Sequence, residues 1–127
     1  MNPRKHILSS GREILLGRDS KNNDELVKSA KRNETLLHTE APGSPFCLVG
    51  VDPSKAEISE AAIVCAKYSQ DWRNNKRDVI VNKFLRADMK KGFFTKEGTW
   101  KVKKSKKLKA KKTSILKLEK NIKNKSK

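Results

Sequence analysis

The chain reads as an α/β (α+β) fold: a central, mostly antiparallel sheet with two main helices and a basic C-terminal extension. Three observations carry that reading. Short apolar segments such as Ile14-Leu15-Leu16, Phe46-Cys47-Leu48-Val49 and Val79-Ile80-Val81 are flanked by Gly, Pro, Asn or Ser, as strands are. Between them, Ile58, Ala61, Ala62, Cys65, Tyr68, Ser69 and Trp72 recur at helical spacing on one face. With 127 residues there is room for one core and one domain.

The elements follow in order. Residues 6–9 and 12–17 are expected to form a hairpin around Ser10-Gly11. A first helix should start near Asn22, with Glu25 three positions on as a capping-box-like pair and Leu26, Val27 and Ala30 as its apolar stripe. A strand at 35–39, the turn Pro42-Gly43-Ser44 and a buried strand at 46–51 come next. Asp52-Pro53 breaks the chain, and Ser54 with Glu57 repeats the capping-box spacing at the head of the second helix. After Asn74-Asn75 a strand is expected over 77–85, then a loop with one helical turn over 86–98. Trp100 and Val102 alternate with Lys101 and Lys103, the pattern of a half-buried edge strand, and 106–111 is a candidate partner strand for it. Ile115, Leu118 and Ile122 keep helical spacing, but that segment is too short to be stable alone. The expected division is therefore a folded domain over 1–112 and a lysine-rich flexible tail over 113–127.

Charge is strongly one-sided. Residues 1–63 hold nine basic and nine acidic side chains, whereas 64–127 hold 22 against 5, so the second half carries the whole net charge of +17. Residues 99–127 include 13 lysines and a single acid, Glu119. Such a field favours phosphate backbones or anionic membrane surfaces; at the extreme C-terminus it equally suits a solvating tail. The longest apolar run, 61–66, is far too short to span a membrane, and the charged start argues against a secretory signal. Cys47 and Cys65 lie inside apolar segments, which suits buried thiols in a reducing, cytoplasmic setting. Together with His6 and His38 they lack any paired ligand spacing, so neither metal nor cofactor is expected.

Several residues are candidates for chemistry. Arg18, Lys21, Asn22, Asn23 and Asp24 surround the start of the first helix, where free N–H groups attract phosphate; ordinary capping is the competing reading, since Asp24 and Glu25 would occupy the first turn. His38 can stack on a base or meet a phosphate, or else anchor the Pro-Gly-Ser turn. Gly43 permits close approach, and Ser44 adds a hydroxyl there. Lys83, Arg86, Lys90, Lys91, Lys101, Lys103 and Lys104 form a candidate basic groove, while Phe93, Phe94 and Trp100 among them mainly suit the core. Ser44, His38 and Asp24 supply the types for a catalytic trio, but no nucleophile elbow, phosphate-binding loop or metal signature accompanies them. A non-catalytic protein is expected.

The order Gly17-Arg18, an Asn/Asp-rich helix start, an apolar strand ending in His38 and then Pro42-Gly43-Ser44 resembles the RNA-binding R domain of the NFACT family. Proteins of that family act in ribosome-associated quality control. The resemblance spans roughly residues 6–102 and supplies most of the case for the fold. It implies a free-standing R domain that binds RNA, most plausibly tRNA or ribosomal RNA, with the large ribosomal subunit as a partner. A generic nucleic-acid or anionic-surface binder acting through its lysines is the alternative, and a small hydrolase or nucleic-acid-modifying enzyme a third.

Overall fold

The computed structural model describes residues 2–91 and 99–125. In chain order these form β1 (Arg4–Ile7), β2 (Glu13–Leu16), α1 (Ser20–Ser29), β3 (Glu34–Thr39), β4 (Cys47–Val51), α2 (Lys55–Lys67), α3 (Gln70–Asn75) and β5 (Val79–Leu85). A 3-10 turn at Arg86–Asp88 leads to β6 (Met89–Lys90), β7 (Lys101–Val102), β8 (Lys106–Ala110) and α4 (Lys112–Lys125). The main sheet has six strands in the order β1-β2-β4-β3-β5-β8, and every pairing is antiparallel. The α+β class expected from the sequence is therefore the one observed.

Each face of the sheet carries a hydrophobic cluster. One carries the main core, in which Ile14, Leu16, Leu37, Val79 and Val81 meet Ala61, Val64 and Cys65 of α2, Trp72 of α3 and Ile115 of α4. The other carries a smaller cluster of Val27, Leu36, Phe46, Phe84 and Met89, closed by Trp100 and Val102. Among the described residues no helix is long and apolar enough to cross a membrane.

Local chemistry sets the helix boundaries. At α2, Ser54 Oγ accepts from Glu57 N–H at 3.1 Å and Glu57 Oε1 accepts from Ser54 N–H at 2.9 Å, the reciprocal box that the sequence spacing predicts. The helix nevertheless stops before Trp72. Ser69 Oγ donates to Ala66 O at 2.7 Å and accepts from Trp72 N–H at 3.2 Å, so it opens α3, and Trp72 is buried from that separate helix. At α1 the cap is Asp19, not Asn22: the Asp19 carboxylate accepts from Asn22 N–H at 2.8 Å. Asn22 sits inside the first turn and reaches back to accept from Arg18 N–H at 3.0 Å, and Glu25 has no part in the cap.

The C-terminal third departs most from expectation. Residues 101–102 pair with β6 in a separate two-stranded ribbon, not with 106–111. β8 joins the main sheet beside β5, with Leu108 opposite Val81 and Ala110 opposite Val79. Alternation explains this: Leu108 and Ala110 complete the face that α2 and α4 cover, while Lys107 and Lys109 fall on the other face. Residues 112–125, expected to belong largely to a flexible tail, form a helix. Lys112 N–H donates to Asp78 Oδ1 at 2.8 Å, and Ile115 is completely buried against the core. Phe93 and Phe94 lie outside the described residues.

Candidate nucleic-acid interface

The strand-to-helix junction at Gly17 builds a polar cleft of about 260 Å³. Its lining brings Arg18, Asn23, Gly43 and Ser44 together and adds Asp19 from the α1 cap, Arg4 from β1, Tyr68 from the end of α2 and Arg73 from α3. Gly17 is required by packing: a Cβ there would lie 1.8 Å from Asn23 Oδ1. That oxygen accepts from Phe46 N–H at 3.0 Å, and Gly17 N–H donates to Phe46 O at 3.1 Å, so α1 is locked onto the entry to β4. Asn23 is thus a structural bolt whose edge lines the cleft.

Three arginines and one carboxylate, Asp19, line the cleft. Arg18 is exposed, its Nε anchored on Asn2 O at 2.9 Å. The Arg4 guanidinium lies 4.2 Å from the centre of the Tyr68 ring, and Lys67 Nζ lies 4.3 Å from it. No acid stands in the first turn of α1; Asp24 lies beyond it, buried and bonded to Lys91 Nζ at 2.7 Å. The acid at this helix end is instead the cap, Asp19, which is exposed and lines the cleft beside Arg18 and Ser20, so the amino end of α1 borders the cleft together with one carboxylate. Lys21 is exposed at the same helix end, in an adjoining hollow.

The turn residues hold the fold around this cleft. Gly43 has φ of +89°, and a Cβ on it would lie 2.5 Å from Gln70 Oε1; Gln70 N–H also donates to Gly43 O at 2.8 Å. Ser44 Oγ accepts from Thr39 N–H at 3.1 Å and donates to Pro45 O at 3.0 Å. His38 points to the opposite sheet face, with Nδ1 2.7 Å from Thr39 O and its ring 4.5 Å from Phe46. Burial lowers its pKa, although hydrogen bonds to Thr39 and Ser44 pull the other way, so the ring is neutral at pH 7. Burial also raises both thiols, Cys47 well above its usual value and Cys65 to about 12, which keeps them protonated.

The expected lysine groove is divided. Arg86 turns inward, with Nε donating to Val27 O at 2.7 Å and the guanidinium 5.0 Å from the Trp100 ring centre. Lys91 is bound to Asp24 and also lies over Trp100. Lys90, Lys101 and Lys103 are exposed on or beside the β6–β7 ribbon, whereas Lys83 and Lys104 line a hollow with Lys106, Asp52 and Asp88. Neither Arg4 nor Arg73 was legible as a site residue, because no local motif marks them and only the tertiary fold joins them to Arg18. Asn82 was also missed. It lies next to Lys83 in the mainly apolar β5, and its Oδ1 is shielded from solvent without a hydrogen-bond partner among the described residues. Such a group costs roughly 1–3 kcal/mol.

A six-stranded antiparallel sheet with an arginine-lined cleft at a helix start defines a small α+β domain. The model of the NFACT protein RNA-binding domain matches residues 5–104, and the chain belongs to that family. Among solved structures, the chain resembles the C-terminal part of the fibronectin/fibrinogen-binding protein from Streptococcus suis. The TM-score is 0.80 at 23% identity, covering 92% of this chain and 49% of the other. The chain thus spans about half the length of that relative, and at this identity the likeness shows the fold. No curated protein matches the chain.

Proposed function

We propose that this chain is a non-catalytic RNA-binding module that engages tRNA or ribosomal RNA, including RNA of the large ribosomal subunit, in cytoplasmic translation quality control. The observation that carries the reading is the convergence of Arg4, Arg18 and Arg73, from three separated segments, around the amino end of α1. Guanidinium forks and free helix N–H groups are matched to phosphate oxygens. The family's RNA-binding description supports the polymer. Arg18 and Lys21 are the direct phosphate contacts in this reading; Asn23, Gly43 and Ser44 keep the cleft in shape. Lys90, Lys101, Lys103 and Lys104 extend the field.

Titration of RNA binding against salt tests the proposal. If about six phosphates are neutralised, the log–log slope should be roughly −4 for single strands. Arg18→Ala with Arg73→Ala should weaken binding and make the slope shallower. Tight binding with a slope near zero would sink the electrostatic interface. Crosslinking in cells and identification of the bound RNA would decide between tRNA and ribosomal RNA.

A further inference from the structure

The sheet face opposite α2 is only partly filled. Towards one end of β3 and β5 the smaller hydrophobic cluster closes it, but around His38 and Asn82, which are register partners, it opens into a cavity of about 400 Å³. Three of its walls are flat: the His38 ring, Phe46 and Trp100. The Trp100 wall is fixed, since its indole N–H donates to Asp24 Oδ1 at 3.0 Å and cations lie against the ring. The Asn82 side chain lines the same cavity, and its oxygen is the unpartnered acceptor noted above. The strand register also puts Lys107 and Lys109 on this face, opposite Asn82 and Ile80, and Lys107 pairs with the rim carboxylate of Glu40. Aromatic walls, a polar side chain on the floor and two lysines on the same sheet face occur together.

We infer that this cavity receives one unstacked base of a single-stranded RNA segment, stacked on the aromatic walls beside the Asn82 side chain, while Lys107 and Lys109 on the same sheet face hold the flanking phosphates. The inference rests on the RNA-binding reading above and adds a base-binding position to it. Its size suits the assignment, because pockets of about 300–1,000 Å³ hold compact ligands of nucleoside size or somewhat larger. Base–aromatic stacking tolerates sequence, so the cavity selects unpaired over paired RNA more than one base over another. The neutral His38 ring lets a base approach without burying a charge.

The experiment compares a single-stranded oligoribonucleotide with the same strand made abasic at every position, which keeps all the phosphates. The intact strand should bind the full chain tighter by roughly 5- to 150-fold, the range that stacking one base supplies. Asn82→Phe, which fills the cavity from its floor, should erase that difference while binding of the abasic strand and its salt slope stay the same. The wild-type chain gives a second readout that needs no variant. The Asn82 side-chain amide and Trp100 indole signals in nuclear magnetic resonance spectra should shift with the intact strand and not with the abasic one. Equal, salt-steep binding of both strands overturns the base-binding position and leaves the RNA reading standing. A preference that survives in a folded Asn82→Phe variant, or intact-strand binding that leaves both signals unmoved, also overturns it. Binding of neither strand overturns both.

Discussion

At the scale of single residues, two contacts show how small groups hold the cleft. Gly17 and Asn23 meet so closely that even a methyl group must displace the Asn23 amide from Phe46. Gly17→Ala is therefore expected to destabilise the chain by about 1–3 kcal/mol, seen as a lower denaturant midpoint. Glu57 offers a pH test. Its carboxylate accepts from Ser10 Oγ at 2.6 Å, from Ser54 N–H and from Arg12 Nε at 3.0 Å, and these bonds lower its pKa from 4.5 to about 2. A carboxyl with a depressed folded-state pKa contributes stability above its unfolded value, and that contribution is lost as pH falls through the folded value. Glu57→Gln should thus lower the melting temperature at pH 7, and the gap from wild type should close between about pH 4.5 and 2. A gap that is constant with pH would show that the carboxylate charge is not what the three donors recognise. At this scale the sequence was legible where partners are close in the chain, as in Ser54 and Glu57. Arg4 and Arg73 were not, because their approach to Arg18 depends on where β1 and α3 pack.

At the scale of elements, the instructive case is the lysine-rich end. Its composition suggests a solvated tail, since Ile115, Leu118 and Ile122 are few against the surrounding lysines. Composition counts charges but not the surface that awaits the apolar minority. Ile63 and Val64 of α2 and Leu118 of α4 line one hollow, and Ile115 of α4 is completely buried in the main core. The same reasoning explains β8, whose pairing with β5 reaches across residues 86–105 and leaves no local trace, whereas the alternation of 101–103 is visible but pairs elsewhere. Ile115→Ala is expected to cost about 2–5 kcal/mol, the range for truncating a fully buried aliphatic side chain. Equilibrium denaturation measures it. A loss below about half a kcal/mol, the level of surface substitutions, would return α4 to the status of a tail. Limited trypsin treatment gives a kinetic counterpart: cleavage after the lysines of α4 should be slower in wild type than in Ile115→Ala.

At the scale of the molecule, charge and shape are divided between two regions. The neutral first half supplies most of the cleft, with fixed geometry; the second half supplies all the net charge, much of it on β8 and α4. Lysines at the surface attract any polyanion, whereas phosphates bound by arginines around a rigid cleft must arrive in one arrangement. Deleting residues 105–127 would not separate these contributions, because it removes a strand of the main sheet and a core side chain. Charge-neutral substitution separates them. Lys107, Lys109, Lys117 and Lys120 are all exposed. Changing them to Gln should weaken every RNA by a similar factor and lower the salt slope by about 0.7 for each phosphate that is no longer neutralised. Arg18→Ala with Arg73→Ala should, beyond weakening binding, reduce the preference for the cognate RNA over a scrambled strand of equal length. Competition binding with both RNAs reads the two effects at once. If the arginine pair leaves the preference intact while the lysine set abolishes it, the β8–α4 surface is the reader and the cleft is scaffold. The opposite pattern places recognition where the backbone is most constrained, at the junction that Gly17, Asn23 and Gly43 hold rigid.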